Sequence, residues 1–167
     1  MAIHASTRTD WAQARLMIHI RGLSLPGSPT VSESDEPAIT ALSGPWLRVT
    51  FDEIPPVHRG RFDATHTAYR MLMLMGVEVF YPHPTSEASP VGFRDHVRLS
   101  SEVRAALQFL RLDFQDYTNP ASPVTVSDCV MSIQRVDVRR IPDTDGYRRR
   151  LVRCEVDWIG RFEDAFS

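Results

Sequence analysis

The chain has 167 residues, of which 43% are hydrophobic and 24% are charged. This length corresponds to one ordinary domain with one core, and the composition excludes a disordered or collagen-like chain. The net charge of −2 and the sequence pI near 6.3 provide no overall positive field. Tight sequence-independent binding to DNA is therefore not expected as the main activity.

All 19 basic residues are arginine, and lysine is absent from the sequence. Codon bias in a GC-rich genome explains this composition without any functional meaning. In either case the guanidinium group offers a planar fork of donors and is weakly hydrated, so these cations suit bidentate ion pairs at interfaces.

Two cysteines, Cys129 and Cys154, each lie in an apolar, strand-like run. We expect buried thiols in a reducing compartment and no disulfide framework. The start of the chain, Met1–Asp10, is polar and does not resemble a secretory signal. The most apolar run, Met71–Phe80, is too short and too interrupted to span a membrane, so we expect no membrane partner and an intracellular protein.

In the first third of the chain, the apolar spacing predicts a helix over Thr9–Ile20 that ends at Gly22. The stretch Ser24–Ser43 is rich in Pro, Ser, Gly and acidic residues, which predicts a long mobile surface loop without ladder structure. The clean alternation of Pro45–Phe51 predicts a strand.

The middle of the chain begins with a second predicted loop, Ile54–Asp63, which contains two adjacent prolines. The apolar segment Thr65–Tyr81 has no helical period and predicts one long central strand or two strands joined near Gly76. Apolar residues then recur at three- and four-residue steps from Phe93 to Leu110, which predicts an amphipathic helix across the sheet.

The last third of the chain predicts a short strand at Leu112–Tyr117, a turn at Thr118–Pro123 and a long strand at Val124–Ile141. A tight turn at Pro142–Gly146 then leads into a strand over Tyr147–Phe162, so the final pair forms a hairpin. Along this last strand, Cys154 and Trp158 share the face that we expect to be buried.

These elements together predict a single α+β domain over residues 1–167. We expect a mostly antiparallel sheet of four to five strands with two helices packed on one face. The mobile loop at residues 24–43 lies outside this framework.

Catalytic and ligand-binding motifs are not found in the sequence. The six histidines are scattered, without the spacing of a helical zinc site, and no glycine-rich phosphate loop or nucleophile elbow occurs. We therefore expect no metal, no cofactor and no enzyme. The alternative is a small hydrolase or transferase whose site is assembled from unpatterned residues such as His58, Asp63 and His66.

Taken in chain order, several segments resemble the tail terminator (tail-completion) proteins of long-tailed bacteriophages. They are the N-terminal helix, the strand Pro45–Phe51, Tyr69-Arg70 followed by Met75–Pro82, the amphipathic helix, and a closing hairpin that ends in Trp158–Phe162. The strand of that family has the type Arg-x-x-Gly-x-x-x-Val-x-Val-Phe-x-Pro. Here Arg70, Gly76, Val77, Val79, Phe80 and Pro82 stand near those places, and the early loop is longer than in the family.

The resemblance implies a homohexameric ring without catalytic residues, which caps the tail tube, stops its polymerisation and joins it to the head-side connector (stopper) protein. DNA would pass through the ring lumen without sequence recognition. The protein would be part of the virion neck and would be assembled in the host cytoplasm. Another neck or minor tail component remains an alternative, and twelve subunits instead of six would indicate a head-tail adaptor.

The tip of the closing hairpin is the main candidate interface. Positive side chains occupy both faces of the two strands there, and a ribbon with two polar faces cannot lie on a core, so we expect it to project. It would contact an acidic neighbouring subunit, a tail protein or DNA; alternatively its arginines are only solvated. The candidate interface residues are Arg139, Arg140, Arg148, Arg149 and Arg150, with Arg59 and Arg61 of the second loop.

Overall fold

The computed structural model describes residues 5–33, 44–61, 66–83, 92–144 and 146–163. Its elements, in chain order, are α1 (Ala5–Arg21), β1 (Thr30–Glu33), β2 (Trp46–Arg61), β3 (His66–Pro82), α2 (Gly92–Leu107), β4 (Arg111–Asp116), β5 (Val124–Arg140) and β6 (Tyr147–Glu163). The predicted mixed α+β class is confirmed. Neither helix within these ranges is long and apolar enough to cross a membrane.

The six described strands form one sheet in the order β1-β2-β3-β6-β5-β4. β1 runs parallel to β2, and every other neighbouring pair is antiparallel. The predicted count of four to five strands is therefore too low. The alternative of one unbroken central strand is the correct one, since β3 pairs with β6 along its full length, from His66↔Glu163 to Pro82↔Tyr147.

The strand that the sequence did not predict is β1, which lies inside the expected loop Ser24–Ser43. Pro26 and Pro29 precede its first residue, so neither removes a donor from the ladder. Ser32 is buried there, and its hydroxyl donates to the carbonyl of Leu47 at 3.4 Å. Residues 34–43 of the expected loop lie outside the described part of the chain.

The second predicted loop, Ile54–Asp63, is also wrong over most of its length, because β2 continues to Arg61. Its pairing with β3 shifts register between Ile54 and Val57 and again between His58 and Gly60. The two prolines fall at the first shift. β1 pairs only with Trp46 to Val49, so the prolines lie where β2 has one ladder in the described structure, and such an edge tolerates missing donors.

The two helices cover one face of the sheet, and both contribute to a single hydrophobic core. Alternate residues of β3 and β6 point into it, so Met73, Met75 and Val77 are buried opposite Val156, Cys154 and Val152. α2 crosses β3, β6 and β5, and α1 packs beside β4. We call the other side of the sheet the open face.

Gly76 brings β2 and β3 close together on the open face. A Cβ atom at this position would lie 2.7 Å from the Thr50 hydroxyl oxygen and 3.3 Å from a methyl group of Leu151. Glycine at this position therefore leaves room for the side chains of Thr50 and Leu151. The strand β3 is continuous across Gly76.

Trp158 is the largest fully buried side chain and is predicted to be essential for the core. It is 1% exposed, and its ring centroid lies 6.4 Å from that of Phe114. Trp158→Ala removes this ring from a packed core, so we expect a loss of about 3–5 kcal/mol in the free energy of unfolding, measured by urea denaturation. The control Ile18→Ala, at a side chain that is 52% exposed, should change it by less than about 0.5 kcal/mol. Equal stability of the two variants would contradict this assignment.

Candidate interaction surface

The open face carries an aromatic cluster at the end of the sheet where the closing hairpin turns. Trp46 and Phe80 stack with their ring centroids 3.7 Å apart and an interplanar angle of 8°. Tyr147 meets both rings edge-on, at 6.5 and 6.3 Å. The register explains the arrangement, because Phe80 faces Trp46 of β2, and the Phe80↔Arg149 pair lies next to Tyr147 on β6.

Two arginines cover this cluster and share one carboxylate. The guanidinium carbons of Arg48 and Arg149 lie 5.4 and 5.1 Å from the centroid of Phe80, within cation–π range. Both donate to Glu78 Oε2, at 2.6 Å from Arg48 and 3.2 Å from Arg149. The arginine side chains are 38% and 18% exposed, and Glu78 is 17% exposed. One half-buried carboxylate therefore balances two cations.

A second arginine–carboxylate pair links neighbouring strands farther along the open face. Arg70 of β3 donates to Asp157 of β6 at 2.6 and 2.8 Å. The pKa of Arg70 is raised mainly by this hydrogen bond and, to a smaller extent, by the negative charge of Asp157. A cleft of about 190 Å³ lies farther along the face. It is lined by Arg135, Asp137, Arg139, Arg153 and Glu155.

The predicted interface arginines of the hairpin are divided between the two faces. Arg139 and Arg149 lie on the open face, since they neighbour Leu151 and Phe80 in the ladders. Arg140, Arg148 and Arg150 follow the parity of the buried residue Val152 and lie on the helix-covered face. The prediction that both faces carry positive charge is confirmed.

The prediction that this ribbon projects from the sheet is wrong. β3 pairs with the β6 arm through Val79↔Arg150, Phe80↔Arg149 and Tyr81↔Arg148, so the tip is three strands wide. Arg149 also donates to the carbonyl of Pro142 at 3.3 Å. A joint change of Arg148, Arg149 and Arg150 to Ser is therefore not the nearly neutral change in stability that a free ribbon predicts.

The remaining predicted residues lie at the other end of β2 and β3. Arg59 and Arg61 belong to β2 and not to a loop, and their side chains lie outside the described part. His58 pairs with Tyr69 and His66 with Glu163, so these two histidines do not face each other in the ladder. Asp63 lies outside the described residues.

Ionisable groups near the core show the effects of burial. The pKa of Tyr81 is raised mainly by burial. The negative charge of Asp95 raises it further, as does the hydrogen bond that the Tyr81 hydroxyl donates to Asp95 Oδ2 at 3.4 Å. Burial also lowers the pKa of His19, with a further effect from Arg15. Among the described residues, no group of three or more His, Cys, Asp or Glu side chains is arranged to hold a metal ion.

Sequence reasoning missed the stack of Trp46 on Phe80 and the carboxylate of Glu78 that two arginines share. The signal was present in the alternation of β2 and β3. That alternation marks Trp46 and Arg48 as open-face residues, but their partners Phe80 and Glu78 follow only from the register of β2 and β3.

Comparison with known proteins adds support for the fold. No protein-family model matches the chain. No curated protein matches it. A similar solved structure is a protein that carries only a sequence identifier as its name. It is 12% identical, with a TM-score of 0.52, and the match covers 97% of this chain and 99% of the other. At this identity the similarity supports the overall fold alone.

The shared carboxylate of Glu78 gives a direct test of the cluster. Glu78→Gln keeps the shape but removes the charge that balances Arg48 and Arg149, so we expect a loss of about 1–3 kcal/mol in the free energy of unfolding. The matched control is Asp137→Asn, because Asp137 is 38% exposed and lies 3.5 and 3.9 Å from Arg135 and Arg139. It should cost less than about 0.5 kcal/mol. Urea denaturation of both variants makes the comparison, and a Glu78→Gln protein as stable as the control would contradict it.

The thiol of Cys154 is predicted to be unreactive in the folded protein. Burial raises its pKa from 9.0 to about 12, so the neutral thiol is favoured. This contribution to stability is complete below the unfolded pKa and is lost as the pH rises towards 12. In a Cys129→Ser background, iodoacetamide at about pH 8 should not label Cys154 until urea unfolds the chain. Mass spectrometry measures the labelling, and rapid labelling of Cys154 in the native protein would show that the thiol is not buried.

Proposed function

We propose that this protein is a structural assembly protein of the tail terminator type and not an enzyme. In this proposal it forms a homohexameric ring that caps a tail tube, stops its polymerisation and presents a surface to the head-side connector protein. DNA passes through the ring lumen without sequence recognition. The site of action is the virion neck, after assembly in the host cytoplasm.

The observation that carries the proposal is the arrangement of the segments that resemble the family. The strand segments among them are far apart in the sequence, yet they lie on the adjacent strands β2, β3 and β6. Trp46 of the first segment faces Phe80 of the second, and Met71 of β3 faces Trp158 of the closing segment. The strand part of the resemblance therefore falls in one continuous region at the centre of the sheet.

The surface chemistry also supports an assembly role. The open face has no helix over it in the described structure, and it combines stacked aromatic rings with arginine–carboxylate pairs. Aromatic and arginine side chains are enriched at protein interfaces, whereas most isolated surface ion pairs contribute little to stability. The open face can therefore bind a partner protein through its aromatic rings and through ion pairs with charges of opposite sign on that partner.

Assembly in solution and on the tube tests the proposal. Purified protein should give a ring in electron micrographs and a mass of six subunits under native conditions. Added to its polymerising tail tube protein, it should shorten the distribution of tube lengths in proportion to its concentration. Twelve subunits would favour the head-tail adaptor, and a tight monomer without effect on tubes would contradict the proposal.

A further inference from the structure

Charge is distributed unevenly along the chain. The hairpin segment 139–150 holds five arginines and two aspartates, a net charge of +3. Because the whole chain carries −2, the remaining residues carry −5. A second copy of the chain is therefore an electrostatically suitable partner for this segment, although the protein as a whole is close to neutral.

We call Arg139, Arg140 and Arg150 the basic hairpin end. Arg140 and Arg150 are direct partners in the ladder and share one face, an arrangement in which like charges repel. Arg140 is 80% exposed and lies 3.8 Å from Asp143, while Arg139 is 61% exposed and lies 3.9 Å from Asp137. The Nε of Arg150 is buried and lacks a hydrogen-bond acceptor within the described structure. The two ion pairs, at 3.8 and 3.9 Å, are long and exposed, so they neutralise the positive charge of the basic hairpin end only weakly.

At the opposite end of β5 the charge is negative. Residues 111–128 hold three aspartates and one arginine. Asp113 faces the 42% exposed Val130, and Asp116 faces the 64% exposed Val124. Arg15 of α1 donates from Nε to the backbone carbonyl of Asp113, at 3.3 Å. We call Asp113, Asp116, Val124 and Val130 the acidic β4 end.

These two ends cannot meet within one molecule. β5 runs from Val124 to Arg140, and a strand of this length spans about 50 Å at roughly 3.3 Å per residue. One end carries exposed cations, and the other carries carboxylates beside exposed valines. A contact between them in two copies is head-to-tail, and such a contact closes into a ring when its rotation allows.

We propose that the basic hairpin end of one copy binds the acidic β4 end of the next copy, and that this contact forms the ring. The inference rests on the proposed function, which it extends by naming the two surfaces of the subunit contact. The carboxylates of Asp113 and Asp116 accept hydrogen bonds from the arginine forks, and Val124 and Val130 supply apolar area next to the ion pairs. Contact with a DNA backbone at the same arginines is the competing outcome.

The test uses two full-length variants that reverse opposite ends. Variant A is Arg139→Glu with Arg140→Glu, at side chains exposed enough to leave the core intact. Variant B is Asp113→Arg with Asp116→Asn. Asparagine preserves the acceptor for the Thr118 amide, which lies 2.7 Å from Asp116 Oδ1. Thermal melts of both variants first establish that they fold.

Sedimentation velocity over a range of protein concentrations then measures assembly. Each variant alone juxtaposes like charges, so its self-association should weaken by roughly a hundredfold compared with the wild type. An equimolar mixture of A and B restores opposite charges at every contact if the subunits alternate, so the mixture should assemble again. The control Glu102→Arg, at an exposed carboxylate of α2 and so away from the open face, should assemble as the wild type does.

The outcomes separate the two proposals. If the wild type forms rings, and A, B and their mixture do so equally well, this contact is wrong and the ring stands. If A and B dissociate but the mixture does not reassemble, the contact is also wrong. If A assembles normally but loses binding to a 30-base-pair DNA duplex, the arginines serve DNA instead. A wild type that stays monomeric on its own and on tail tubes would overturn both proposals.

Discussion

The central pairing of β3 with β6 is the constraint on which the rest of the structure depends. It runs without a register shift over the full length of both strands. A slip of β6 by one residue would move Cys154 and Val156 from the core to the open face and bring Arg153 and Glu155 under the helices, and a slip of β3 would move Met73 and Met75 out in the same way. The buried thioether, thiol and valine side chains therefore fix the register, and the register in turn places every side chain of the open face.

The same register accounts for the arginine cluster at the hairpin end. Because β3 continues to Pro82, it pairs with β6 as far as Tyr147. Arg149 therefore contacts the ring of Phe80 and the carboxylate of Glu78, both of which belong to β3. Lysine could not replace arginine here without loss, since it lacks the planar fork that stacks on Phe80 while donating to Glu78. Part of the arginine content is thus used within the molecule, whatever the origin of the codon bias.

Local patterns in the sequence were sufficient for most of the fold. Alternation predicted the first part of β2 and the strand β6, an apolar run without a helical period predicted β3, and helical spacing predicted both helices within a few residues of their observed ends. Two strand regions escaped, for physical reasons. β1 has only four residues and gains its stability from a parallel neighbour, while the distal half of β2 contains Pro55 and Pro56, whose disruption is absorbed by a shift in register. The candidate surface was harder, because nothing near Arg148–Arg150 indicates that the distant strand β3 lies beside them.

The two ends of β5 show how a nearly neutral protein can still associate specifically. A uniform charge of −2 over the surface would give only weak mutual repulsion, screened within about 10 Å at moderate salt. Segregation of +3 to the hairpin turns the same total into a dipolar particle, in which one relative orientation is attractive and the reverse orientation is repulsive. Orientation is what a head-to-tail contact requires, and apolar area alone does not supply it. The exposed valines of the acidic β4 end can strengthen the contact once electrostatic attraction has oriented the basic hairpin end of another copy towards them.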